Sequence, residues 1–260
     1  MIEPFNFPNA FSLQGRRALI TGGATGIGQA IAVAMAHAGA DVAYTWHSSS
    51  GAQTKAAIIA AGRRAADVQI DLGTIDAPLA ETLISKMERD FGPIDILVNN
   101  AGIIRRAGAV DHSEADWRAV IATNLDQVWF LSQAVGRRMC ERKAGRIISI
   151  TSVLSFQGGV RVPSYTAAKH AVAGLTKALA NEFAAFGVCV NAIAPGYIET
   201  SNTAALRADP HRSRQILERI PAARWGQPND IAGTAVFLAS PAAAYVHGAI
   251  LSVDGGWMAR

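Results

Sequence analysis

The chain has 260 residues, half of them apolar, enough for a large buried core. Charged residues make up only 17%, and a net charge of +4 with scattered arginines excludes a nucleic-acid stripe. No apolar stretch is long enough to cross a membrane and "MIEPFNFPNAF" lacks the features of a signal peptide, so a soluble, cytoplasmic protein is expected, with no membrane or nucleic-acid partner.

Strand-like and helix-like runs alternate from one end to the other. "RALIT" (17–21) reads as a strand and 27–39 as a helix ending at Gly39. A strand at 41–45, a helix near 51–61, a strand near 66–70, a helix at 77–91 and the strand "DILVNN" (95–100) follow. Later strands are expected at 145–151, 188–194 and 249–255, with helical patterns between them. These strands are continuous apolar runs, which suits a parallel sheet covered on both faces. The alternation predicts a single-domain, Rossmann-type doubly wound α/β fold over residues 1–260. The polar segment at about 196–224 lies outside the strand rhythm and is expected to form a helical substrate lid.

"TGGATGIG" (21–28) stands where the first strand gives way to the first helix. Gly22, Gly26 and Gly28 permit a tight turn, close approach of backbone to a pyrophosphate, and close helix–sheet packing. The helix N-terminus adds free N–H groups and a positive dipole end. No Lys follows the last Gly, which excludes a P-loop. The place of the usual ribose-binding acid holds "WHSSS" (46–50), where His47 and Ser48 can bond a 2′-phosphate but no Arg or Lys stands. NAD and NADP both stay open. Asp71 reads equally as an acceptor for adenine and as a plain helix N-cap. Asn99 and Asn100 end the fourth strand, where open α/β sheets bind ligands.

Tyr165 and Lys169 are one helical turn apart on a helix expected to start near Pro163. A free Tyr titrates near 10, and a neighbouring ammonium is expected to lower it by about one to three units. Such a Tyr can pass a proton to or from a carbinol oxygen. Ser152, ending the fifth strand, can bond the same oxygen. The two cysteines, Cys140 and Cys189, read as reduced thiols, and the six scattered His give no metal spacing.

Together "TGGATGIG", "NNAG" (99–102), Asn124 in "ATNLDQV", Ser152, "YTAAK" (165–169) and "PGYIET" (195–200) resemble the short-chain dehydrogenase/reductase family over nearly the whole chain. The resemblance implies a seven-stranded parallel sheet and a nicotinamide cofactor, NAD slightly favoured over NADP. It implies Tyr165 as acid/base, Lys169 on the nicotinamide ribose, Ser152 on the carbonyl, and Asn124 holding a relay water. Gly22, Ile27, Asp71, Asn99 and Ala101 would line the adenosine side, with Thr25, Gly26, Gly28, His47, Leu72 and Gly102 beside them. Pro195, Gly196, Ile198 and Thr200 would meet the nicotinamide end. A homotetramer is implied.

"NNAGIIRR", "SFQGGVRVPSYTAAK" and "NAIAPGYIETSNTAALRAD" further resemble those members of the family that oxidise small sugar acids in pectin breakdown. A carboxylated, hydroxyl-bearing substrate needs a cation and amide partners. Arg105, Gln157, Arg161, Asn202 and Arg207 are the candidates, with one of Arg105, Arg161 and Arg207 expected on the carboxylate. An acyl-chain reductase would instead want an apolar trough, and a non-enzymatic nucleotide sensor would not need the complete Ser, Tyr, Lys and Asn set.

Overall fold

The computed structural model describes residues 7–259, so most of the N-terminal stretch read for a leader lies outside the described residues. The strands are β1 (Arg17–Ile20), β2 (Asp41–Trp46), β3 (Ala65–Gln69), β4 (Ile96–Asn99), β5 (Gly145–Ile150), β6 (Val188–Pro195) and β7 (Ile250–Val253). All pair in parallel, in the order β3-β2-β1-β4-β5-β6-β7. The chain therefore winds outward twice from β1, and the crevice between β1 and β4 is the topological switch point.

The helices are α1 (Phe7–Ala10), α2 (Gly26–His37), α3 (Ala52–Ala60), α4 (Ala77–Phe91), α5 (Glu114–Ile121), α6 (Gln127–Arg142), α7 (Pro163–Phe183), α8 (Ala204–Ala208), α9 (Pro210–Arg219) and α10 (Pro228–Ala239). Local chemistry sets their ends. Asp76 caps α4 by accepting from Leu79 N at 2.8 Å, and the chain leaves that helix at Gly92 with φ 103°. Pro163 opens α7, where a missing N–H costs nothing. β7 stops at Val253, short of the predicted 255, because Asp254 turns to accept from Gly256 N and Met258 N at 2.9 and 3.0 Å.

Alternate strand residues feed two cores, one on each face of the sheet. Ile20, Ile96, Val98 and Ile148 join Ile31 and Met35 of α2 and Leu238 of α10. Leu19, Leu97 and Ile147 join Leu83 and Met87 of α4, Leu131 and Val135 of α6, and Leu179 of α7. Every residue of β6 is buried, as expected for a strand covered on both faces. A third, small cluster of Val153, Ile216, Ile220, Trp225 and Trp257 docks α9 and the C-terminal turn over the carboxyl ends of the strands. Cys140 and Cys189 are free thiols. Among the described residues no helix is long and apolar enough to cross a membrane, and no group of His, Cys, Asp or Glu stands close enough to hold a metal.

Candidate active site

A cleft of about 1010 Å³ runs along the carboxyl ends of the strands. Its floor at one end is the glycine turn between β1 and α2. Gly22 and Gly26 take φ of 64° and 56°, a region that side chains disfavour. A Cβ on Gly28 would overlap the Gly22 carbonyl and the Asn100 amide. Asn100 staples the turn: its Nδ2 donates to Thr21 O at 2.9 Å and to Gly22 O at 3.1 Å. No side chain caps the N-terminus of α2 at Thr25, so its first N–H groups face the cleft. A turn that closes only on glycine, followed by an uncapped helix start, fits a pyrophosphate.

Gly22, Thr25, Gly26, Ile27, Gly28, His47, Asp71, Leu72, Ala101, Gly102, Pro195, Gly196, Ile198 and Thr200 all line the cleft. Buried Tyr44 donates to Gly51 O at 2.6 Å and fixes the loop carrying His47 and Ser48. The cap reading of Asp71 is realised, its Oδ1 accepting from Gly73 N at 2.8 Å. Its Oδ2 lies 3.9 Å from His47 Nε2. Asn99 departs from expectation. It is buried away from the cleft and donates to Ser132 Oγ at 2.9 Å, because neighbouring residues at a strand end face opposite sides of the sheet. Asn100, the other residue at the end of that strand, is the one that faces the turn.

Ser152, Tyr165 and Lys169 meet at the centre of the cleft. Ser152 starts the 3₁₀ turn after β5, accepting from Leu154 N at 3.1 Å, and lines the cleft beside Tyr165, whose pKa its hydroxyl lowers. Ser155 ties that turn to α7 by donating to Lys169 O at 2.8 Å. Lys169 is 5% exposed, donates from Nζ to Ile150 O at 2.7 Å, and stands 5.5 Å from the centre of the Tyr165 ring. Burial pushes the Tyr165 phenol up to about 12, against the opposing Ser152 hydrogen bond and the Arg106 charge. The expected lowering of Tyr165 by its lysine is not met in this geometry. Burial pulls Lys169 itself down to about 8. His170 is exposed and its Nδ1 lies 3.0 Å from Thr166 O, away from this pair.

Asn124 is fully buried in a π turn (122–126) that joins α5 to α6. Its amide is spent on Ile103: Oδ1 accepts from Ile103 N at 2.8 Å and Nδ2 donates to Ile103 O at 2.9 Å. The side chain shapes the loop after β4 and does not reach the cleft.

The substrate candidates divide. Arg105, Gln157 and Asn202 line the cleft, but Arg105 is paired with Asp116 at 3.3 Å. Arg161 and Arg207 do not line it. Arg161 takes a left-handed φ of 63° in the turn before α7, and its carbonyl accepts from Ala107 N. Arg207 turns to Thr200 O at 3.2 Å and to Glu199 at 3.9 Å. The cleft wall instead holds Arg106, Arg212 and Arg219. Arg212 and Arg219 are seven apart on α9, a same-face spacing that could have flagged them.

A family model described as enoyl-(acyl carrier protein) reductase matches residues 22–258. The 2-dehydro-3-deoxy-D-gluconate 5-dehydrogenase of Bacillus subtilis (strain 168) is 54% identical over 252 residues, 97% of this chain and 98% of that protein. An Agrobacterium tumefaciens structure with bound NADP is 56% identical, covers 97% of this chain and 100% of its own, and superposes with a TM-score of 0.90. A gluconate 5-dehydrogenase from Burkholderia cenocepacia J2315, in complex with NADP and tartrate, is 39% identical with a TM-score of 0.93, covering 98% and 100% of the two chains. Fold and site are those of a nicotinamide-dependent oxidoreductase acting on CH–OH groups of a small molecule. The chain belongs to the short-chain dehydrogenase/reductase family.

Proposed function

We propose that the protein interconverts a secondary alcohol and a ketone on a small sugar acid, with 2-dehydro-3-deoxy-D-gluconate and its 5-keto form as the substrate pair. The observation that carries this reading is the meeting of Ser152, Tyr165 and buried Lys169, its Nζ 5.5 Å from the centre of the Tyr165 ring, in a cleft walled by arginines. The sugar-acid assignment is supported by the name of the B. subtilis relative and by tartrate in the Burkholderia structure.

A bound nicotinamide supplies or accepts the hydride. Gly22, Gly26, Gly28 and the start of α2 would hold its dinucleotide phosphates. For ketone reduction, Tyr165 donates its phenolic proton to the carbonyl oxygen while the Ser152 hydroxyl orients that oxygen. A phenol that titrates near 12 is neutral at pH 7 and is ready to act as the acid. In the reverse direction Tyr165 must give up its proton before it can take one. The Ser152 hydroxyl and the Arg106 charge favour that phenolate against burial.

NADP is accepted as well as NAD: two neighbours hold it, and His47 and Ser48 stand at the end of β2 without a carboxylate beside them in sequence. The segment α8–α9 acts as a lid. The working form is a cytoplasmic homotetramer, a reading supported by Trp117 and Trp129, exposed by 43% and 37% on α5 and α6.

Initial rates on a panel of 2-keto-3-deoxy acids, gluconate and an acetoacetyl thioester, each with both nucleotides, test the substrate. The 2-keto-3-deoxy acid should give the highest kcat/KM. Preference for the thioester would move the protein to the acyl-chain reductases.

A further inference from the structure

Arg106, Arg212, Arg219 and Tyr197 come from three separate segments and line the same cleft. The Tyr197 and Trp257 rings lie 4.6 Å apart, and the Arg219 guanidinium stacks 4.0 Å above Trp257 while donating to Gln157 Oε1 at 3.2 Å. All three guanidinium charges act on the Tyr197 hydroxyl, and Arg106 acts on Tyr165 as well. Arg106 lines the cleft together with Tyr165 and Tyr197.

Neighbouring arginines are neutralised by carboxylates: Arg105 by Asp116, Arg207 by Glu199, and Arg224 by Asp230. Arg106 and Arg212 have no carboxylate at ion-pair distance among the described residues. Their guanidiniums donate to neutral oxygens, Asn202 O at 2.9 Å and Gln215 Oε1 at 2.8 Å. Like charges gathered without an anion repel one another, and a bound carboxylate relieves the cost. In a gluconate skeleton the carboxylate and the reacting C5 are four bonds apart. Its donors must therefore come from elements other than those carrying Ser152 and Tyr165, and α9 and the loop after β4 meet that condition.

We propose that Arg106, Arg212 and the Tyr197 hydroxyl seat the substrate carboxylate, with Arg219 held behind them by Trp257 and Gln157. This rests on the sugar-acid reading above. It replaces Arg161 and Arg207, which face elsewhere, and it makes α9 the element that reads the acid end of the substrate.

The test compares the sugar acid with its neutral amide in Arg106→Gln, Arg212→Gln and the double variant. A lost charge-assisted hydrogen bond predicts a rise in KM for the acid of about tenfold to a hundredfold per variant. The double variant should lose the preference for acid over amide while NADP affinity holds, and Arg212→Lys should recover part of it. A double variant that keeps the full acid preference overturns the seat. Calorimetric titration of D-gluconate into NADP-loaded protein separates this from the reaction itself. Gluconate binding that disappears in the double variant, in a protein that turns over no sugar acid, leaves the seat standing and removes the reaction. Absence of both binding and turnover in the wild type removes both.

Discussion

Lys169 is a charge held in the interior, and its surroundings decide how it titrates. It keeps one hydrogen bond, to Ile150 O, and burial brings its pKa from 10.5 down to about 8. Between those values the unfolded chain binds the proton and the native state does not, so Lys169 makes stability rise with pH through this window. From pH 8 to pH 10 the gain is about 2 kcal/mol. Tyr165 acts in the opposite sense above pH 10, where the native state alone retains its proton. Urea midpoints at pH 8 and pH 10 should therefore rise for the wild type relative to Lys169→Met. Parallel curves for the two proteins would show that Lys169 is not the titrating group.

At the scale of elements, two turns carry the site. The β1–α2 turn closes only because Gly28 has no side chain to strike Gly22 O and Asn100. In the wild type, NADP at a hundred times its Kd should raise unfolding stability by about 2.7 kcal/mol. Gly28→Ala should erase that rise while the nucleotide-free protein stays folded. A variant still stabilised by NADP would mean the phosphates lie elsewhere. The π turn between α5 and α6 turns the Asn124 amide back onto Ile103. Asn124→Ala leaves the half-buried Ile103 N–H and carbonyl without their partner and should cost about 2 kcal/mol in a denaturant melt. Asn124→Asp should not restore it, because Ile103 O then faces an acceptor. Full stability in Asn124→Asp would deny that this clamp holds the loop.

Across the whole molecule, what could be read from sequence depended on how local its cause is. Continuous apolar strands, Asp76 before α4, Pro163 before α7 and the i, i+4 pair of Tyr165 and Lys169 are local signals, and the structure follows them. The outward-wound parallel sheet follows from their alternation. The substrate wall was legible only in part: Arg105, Gln157 and Asn202 line the cleft, while Arg106, Arg212 and Arg219 went unread. Whether an arginine faces the cleft depends on how α9 and the C-terminal turn dock through Trp225, Trp257 and Ile216, a packing with no sequence period. Arg161 was misread because its backbone is left-handed, and Asn99 because a single position decides which side of the sheet a residue faces. The proposed reaction turns on proton transfer by Tyr165. The most direct measurement is the NADPH-dependent reduction of the 5-keto sugar acid by the wild type and by Tyr165→Phe, with nucleotide affinity measured in both. The prediction is wild-type turnover and a loss in kcat of about 10² to 10⁴ in the variant at unchanged NADPH affinity. Turnover that survives in Tyr165→Phe would contradict it.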